Sequence, residues 1–451
     1  MKEYSFPYDA GIAVGLIPAN KIKYGIPGLV ECYNCKISKE GLDEYVAMTN
    51  PFVGIPAGTV WPYPQVFKTT IGIFVATETA IYKADDSYVL SAMITGLPAG
   101  NVWEMADYFQ YQIWTNGVAT VVRDAETGVF YLKGMAHPVE SICNYNGQLI
   151  AGGFGGDKGN WVAWGGIGKI DLDNLLSDVD RTNVSGFMPM SFRGDVYRVK
   201  KLGDKIIIYG SDGICALTAG SSSKPYKSYT TFGREDIFTF GIAGKECVGG
   251  NDSIHMFIDN SGYIRAMDKS GGHHLLGYIN YTTNFTDEIK ILYDENLAEF
   301  YITDGNRCYL YTTGLSEIYQ CPSGIVRVGS TLYGTSYDGS DLSAYMTTNS
   351  FSIMTESIKT VQTVEASVRG VNLQGAVDYR YNKSTTETFT RSMLKNMSRH
   401  GIFTPMVSGV DLRIHIRSSS FVGFSLDRLM IRYKMTDKRS IRGPYAEQPG
   451  L

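Results

Sequence analysis

A hairpin of one design returns along this chain, and it limits the fold more than any other feature. Residues 205–209, a Ser211-Asp212-Gly213 turn and residues 214–217 make one copy; 255–258, 259–262 and 263–267 make the next; 300–302, Asp304-Gly305-Asn306 and 308–311 make the third. Looser copies lie at 71–82, 121–132 and 331–346. Turn centres near 212, 261, 305 and 339 are 49, 44 and 34 residues apart. An all-β unit returning at about 40–50 residues has the spacing of a propeller blade. The pattern predicts an all-β chain of about six to seven blades, followed by an antiparallel β-sandwich-like domain.

Composition agrees. The chain has 451 residues with 50 glycines and 31 tyrosines, which suits many short strands joined by tight turns. Charged residues make up 19%, below the roughly 25% of an average soluble domain. Such a surface leaves room for partners. Seven cysteines at 32, 35, 143, 215, 247, 308 and 321 form an odd, scattered set, several inside predicted strands. A disulfide framework is not expected, and a reducing cytoplasm is. The first residues lack the basic start and long apolar run of a signal peptide. No run reaches the roughly 18–20 apolar residues of a membrane helix.

The net charge of −4 hides an asymmetry. Residues 356–442 hold 15 Lys/Arg against 7 Asp/Glu, whereas 1–355 hold 26 against 37. Opposite signs on two regions suggest two different neighbours, or one copy docking on the next.

Four segments follow. Residues 1–58 are Gly/Pro-punctuated and extended, with a β pattern at 30–37. Residues 59–355 are the propeller, with a less regular unit at 138–190 and a short helix at 171–179. Residues 356–444 carry longer strands and strict alternation at 412–417 and 429–435, with basic residues outside. Residues 445–451 are a tail.

Catalytic chemistry is not visible. Cys32-Tyr33-Asn34-Cys35 is a lone C-x-x-C with no second pair to complete a tetrahedral zinc site, and it sits in strand rather than at a helix start. His273-His274 reads as an exposed polar turn. Gly168-Lys169 and Gly244-Lys245 both fail as phosphate loops, because Ala163 and Thr239 replace the first glycine and Ile170 and Glu246 replace the hydroxyl residue. Asp85, Asp86, Asp124, Asp171, Asp173, Asp338 and Asp341 mostly sit in Asp-Gly or Asp-x-x-Gly turns, where the carboxylate serves the backbone. No catalytic, cofactor or metal residue is assigned. The densest positive cluster is Arg428, Arg432, Lys434, Lys438, Arg439 and Arg442. With few aromatics interleaved, it suits an acidic protein surface better than stacked bases.

Three stretches carry a resemblance. Residues 139–153, Val-Glu-Ser-Ile-Cys-Asn-Tyr-Asn-Gly-Gln-Leu-Ile-Ala-Gly-Gly, resemble the blade start of tailed-phage structural propellers. Cys32-Tyr33-Asn34-Cys35-Lys36-Ile37 with Gly41-Leu42 resembles their N-terminal strand, and residues 412–442 resemble their C-terminal β-domain. The family is the tail nozzle of short-tailed phages, also called tail tubular protein B or tail accessory protein. The resemblance implies a non-enzymatic virion tail protein made in the host cytoplasm. It further implies a homo-hexameric ring below the portal and its adaptor protein, with fibres or tailspikes attached. That ring extends the DNA channel, helps retain genomic DNA and conducts it without sequence-specific binding. Two other classes fit a propeller: a carbohydrate- or receptor-binding module, and a hydrolase holding two carboxylates across the channel mouth.

Overall fold

Short strands with tight turns fold locally into meanders, and blade pairing follows directly. In residues 139–154 the strands Val139–Tyr145 and Gln148–Phe154 are joined by Asn146-Gly147, both at positive φ (51° and 83°). That is the two-residue turn whose twist matches antiparallel strands. Gln148–Phe154 is buried along its whole length, because a blade's middle strand is covered on both faces.

The computed structural model describes residues 3–18, 26–109, 111–134, 137–168, 185–224, 227–351, 357–381 and 387–436, without the side chains of 221–231. The chain divides into two compact units.

The first unit, Met48–Asn306 with Cys321–Tyr337, is the propeller. Five four-stranded antiparallel sheets follow one another. Their first strands are Gln65–Thr69, Glu104–Tyr108, Val139–Tyr145, Val196–Leu202 and Val248–Asn251, and strand order follows the sequence in each. The hairpins Lys290–Asp294/Glu299–Thr303 and Gln320–Val328/Thr331–Asp338 supply a sixth and a seventh sector. Apolar seams fill the spaces between blades. Phe74, Trp103 and Trp114 join the first two, and Ile150, Val199 and Ile208 the third and fourth.

The first strand of each sector is innermost, and each is fastened to the next. The Gln65 amide bonds both the N–H and C=O of Trp103 (2.7 and 3.1 Å). Glu104 accepts from Ile142 N–H (3.0 Å), and Ser141 accepts from Val199 N–H (2.7 Å). Arg198 donates to Lys245 C=O (2.6 Å), and Ile291 N–H donates to Glu246 C=O (2.9 Å). Lys290 donates to Ser323 C=O (2.9 Å), and the Ser323 hydroxyl donates to Pro64 C=O (2.9 Å). These bonds form a closed circuit of seven seams. Gly324 tightens the last, since a Cβ there would stand 2.6 Å from Val66 N.

The second unit, Met1–Ala47, Arg307–Gln320 and Asp338–Leu451, is built on two sheets, antiparallel except where Tyr33 pairs with Glu317 in parallel. In one, Leu29–Tyr33, Ala344–Thr348, Asp411–Ser418 and Gln374–Arg380 pair in that order. In the other, Lys359–Arg369 and Glu3–Pro7 both pair with Ser425–Met435. Leu412, Ile414 and Ile416 from the first and Leu429, Ile431 and Tyr433 from the second are buried, as strict alternation requires. Phe403 packs where a Gly375 side chain would stand (2.4 Å).

Several expectations need correction. The 331–346 hairpin does not exist: Thr331–Asp338 pairs with Gln320–Val328, whereas Ala344–Thr348 pairs with Leu29–Tyr33 and Asp411–Ser418. The 30–37 run is two strands broken at Asn34 (φ 53°), whose amide donates to Asp341 and Ser343 C=O and accepts from Tyr319 N–H. The strands Val139–Tyr145, Gln148–Phe154, Trp161–Trp164 and Gly186–Pro189 form a four-stranded blade as regular as its neighbours. His273-His274 opens the exposed strand His273–Gly277. The helix at 171–179 and the tail at 445–451 lie outside the described residues.

Candidate functional site on the propeller axis

Near the starts of four inner strands and just before a fifth, Gln65, Glu104, Arg198, Lys290 and Glu246 come together, and there the sequence places charge. Arg198, buried at 5% side-chain exposure, pairs with Glu104 at 3.3 Å and with Glu246. Lys290, also buried, meets Glu246 (3.0 Å), Pro62 C=O (3.1 Å) and Ser323 C=O (2.9 Å). Gln65 reaches Glu246 at 3.4 Å. Beside them Lys245 pairs with Glu140 (2.7 Å), and Glu140 accepts two bonds from Asn101.

Burial alone would raise the Glu246 carboxyl, but Lys290 and Arg198 outweigh it and hold it below the usual carboxylate range. Burial likewise opposes the Arg198 charge, and Glu104 and Glu246 reverse that effect. Burial draws the Lys290 ammonium down; its three oxygen acceptors are those of a protonated amine. The axis is therefore plugged by ion pairs.

A cavity lies on each side of the plug. One, of about 400 Å³, runs along the inner strands past Phe67, Met105, Lys200, Tyr293 and Ile325. The other, of about 550 Å³, opens among the loops that precede the inner strands. It is walled by Trp61, Tyr63 and Tyr197, with Glu78, Asp287 and Glu288.

The sequence did not single out this axis. Arg198, Glu246 and Lys290 lie at or near the starts of successive inner strands, 48 and 44 residues apart. A charge recurring at the blade period inside apolar runs is the signal that could have found it.

The predicted basic residues lie in the other unit. Arg428 and Arg432 sit on the exposed face of Ser425–Met435, opposite the buried Leu429 and Ile431. Arg432 pairs with Glu365 (2.8 Å), Arg428 approaches Asp9 (3.9 Å), and Lys434 stands in register with Glu3. Arg428 and Arg432 share an open groove of about 810 Å³ with Glu3, Glu365 and His400. That face is mixed in sign rather than purely positive. Lys438, Arg439 and Arg442 lie outside the described residues.

Turn aspartates act as turns. Asp85 accepts from Ser87 and Val89 N–H, Asp124 from Glu126 and Thr127 N–H, and Asp341 from Ser343 N–H. Cys32 and Cys35 are both buried free thiols, and burial pushes the Cys35 thiol up, away from the reactive thiolate.

No family model and no curated protein matches the chain. Among solved structures it is similar to PorZ, a bacterial surface component of the type-IX secretion system of Porphyromonas gingivalis, at TM-score 0.37 and 10% identity. That match covers 63% of this chain and 35% of PorZ, so the chain spans about a third of that protein's length. It is also similar to BamB from Moraxella catarrhalis (TM-score 0.34, 10% identity, 62% of this chain and 92% of that one). The Pan2 WD40 domain from Neurospora crassa gives TM-score 0.37 and 8% identity over 64% of this chain and 89% of the other. Similarity at that level carries no functional argument.

Proposed function

We propose that this chain is a non-catalytic structural propeller, a subunit of a tail nozzle ring in a short-tailed phage. Four observations support the reading. The resemblance covers a blade start at 139–153, an N-terminal strand at 32–42 and a C-terminal β-domain at 412–442. The low charge content suits a surface largely covered in a ring. The 1–355 region carries the acidic excess that a DNA channel between subunits needs, because repulsion keeps phosphate from sticking. The observation that carries most weight against a hydrolase is the plug: Glu104 and Glu246 spend their charge on Arg198 and Lys290. A propeller closed on its own axis is a rigid building block, and DNA would pass between copies.

The ring predicts heterologous contacts that close by rotation. Its partners would be further copies, the head-to-tail adaptor, fibres or tailspikes, and DNA held without sequence preference. The test is the mass of the purified chain, alone and mixed with a portal–adaptor complex, by native mass spectrometry. A closed ring near six subunits, alone or only on the adaptor, is the expected result. A monomer that ignores the adaptor would shift the reading to a binding module, which the aromatic-walled axial cavity favours.

A further inference from the structure

The cavity of about 550 Å³ has walls that are already fixed. Trp61 lies against Gly305, where a Cβ would stand 2.7 Å from the indole, and its Nε1–H donates to Glu288 C=O (3.0 Å). The Tyr63 hydroxyl donates to Asn101 C=O (3.2 Å), and the ring is buried. These are preorganised surfaces, which lowers the cost of ordering them around a ligand.

Two of the rings already face an ammonium group. Lys290 Nζ stands 5.9 Å from the Trp61 ring centre, and Lys245 Nζ stands 5.9 Å from that of Tyr197. Both lysines are held by carboxylates of their own, Glu246 and Glu140. Counting the plug and the cavity together, the acids are Glu78, Glu104, Glu140, Glu246, Asp287 and Glu288, and the cations are Arg198, Lys245 and Lys290. Once the plug is balanced, Glu78, Asp287 and Glu288 remain as surplus negative charge at the cavity wall. Two of the three converge: Glu78 and Glu288, with Glu246 of the plug, add to the rise that burial imposes on the Tyr63 phenol. Among the described residues no three His, Cys, Asp or Glu side chains are placed to hold a metal ion. A neutral sugar would use the rings and leave the surplus charge unanswered.

We propose that this cavity binds an organic cation, a guanidinium or alkylammonium group that enters along the propeller axis. Trp61 and Tyr197, both half-buried beside the buried Tyr63, supply the flat surface and Glu78 and Glu288 the counter-charge. Two sources carry this chemistry, a free small cation and an arginine or lysine side chain on a partner protein. A monomer and a ring subunit carry the same cavity, so failure here would leave the ring reading standing.

The full-length chain is titrated by calorimetry at low salt with an acetyl-Gly-Arg-Gly-amide peptide, its citrulline counterpart, agmatine and maltotriose. The arginine peptide is expected to bind and the citrulline peptide not. Glu78→Gln with Glu288→Gln, both exposed positions, should weaken binding at least tenfold and leave the thermal midpoint in place. Asp287→Asn serves as the independent variant should that pair shift the midpoint. Agmatine binding as tightly as the peptide assigns the site to a free cation, and a peptide at least tenfold tighter assigns it to a protein side chain. No binding by either cation, equal binding of the citrulline peptide, unchanged affinity in both variants, or a preference for maltotriose would overturn the proposal.

Discussion

Arg198 shows what a buried charge demands. Removing it takes the cation from Glu104, which keeps the Ile142 N–H, and leaves Glu246 with Lys290 and the Gln65 amide. Breaking one side of a buried pair costs about 3–5 kcal/mol, so Arg198→Met should lower the thermal midpoint steeply, with scanning calorimetry as the readout. His255 makes a second residue-scale case. It donates from Nε2 to Lys201 C=O (3.1 Å) and accepts at Nδ1 from the Tyr209 hydroxyl (2.9 Å), an arrangement only the neutral ring satisfies. Burial and then Lys200 pull it down to about 3, and burial and Arg391 pull His415 down to about 4. The unfolded chain takes up these protons near the ordinary histidine value of about 6.5. Stability is therefore fully present above that value and is lost as pH falls toward the folded values. Urea midpoints measured from pH 7 to pH 4 should fall, and His255→Phe should flatten the slope. These residues were hidden in the sequence because nothing local marks them. Arg198 and His255 read as polar interruptions of apolar strands, and only the closing of the ring reveals their partners.

At the scale of elements, the hairpins were legible because each carries its own turn chemistry and its own apolar run. Lys205–Gly210 and Ile254–Ile258 fall where the repeats place them. Pairing between distant strands was not legible, as the lost 331–346 hairpin shows: local alternation is identical whichever partner a strand takes. Ring closure rests on one such distant meeting, at Ser323 and Gly324 against Pro64 and Val66. Gly324→Val should destabilise the propeller by several kcal/mol, since a Cβ would meet backbone that cannot give way. A chemical denaturation series compared with Gly233→Val, where a Cβ would meet its nearest atom, Thr218 C=O, at 3.9 Å, checks it. The fourth blade holds another element-scale feature. Ile214–Lys224 and Lys227–Phe238 are far longer than the neighbouring strands, and beyond the Lys205–Thr218 pair they continue as a two-stranded ribbon from Ala219–Phe232 to Lys224–Lys227. Replacing residues 220–231 by Asn-Gly should leave the thermal midpoint of the lone chain unchanged and weaken ring formation in light scattering, because an open ribbon invites a strand partner.

The whole molecule is threaded unusually. The chain passes between its two units at 47/48, 306/307, 320/321 and 337/338. Strand Glu3–Pro7, from the start of the sequence, pairs with Ser425–Met435, from near its end. One cut by a protease at any of those four passages leaves both units still joined by the remaining chain segments on one side or the other. The same threading governs inheritance. A single recombination crossover cannot exchange one unit for a foreign version, because any one breakpoint splits at least one unit. The propeller and its companion are thus bound to change together, residue by residue, rather than by the wholesale shuffling open to domains strung end to end.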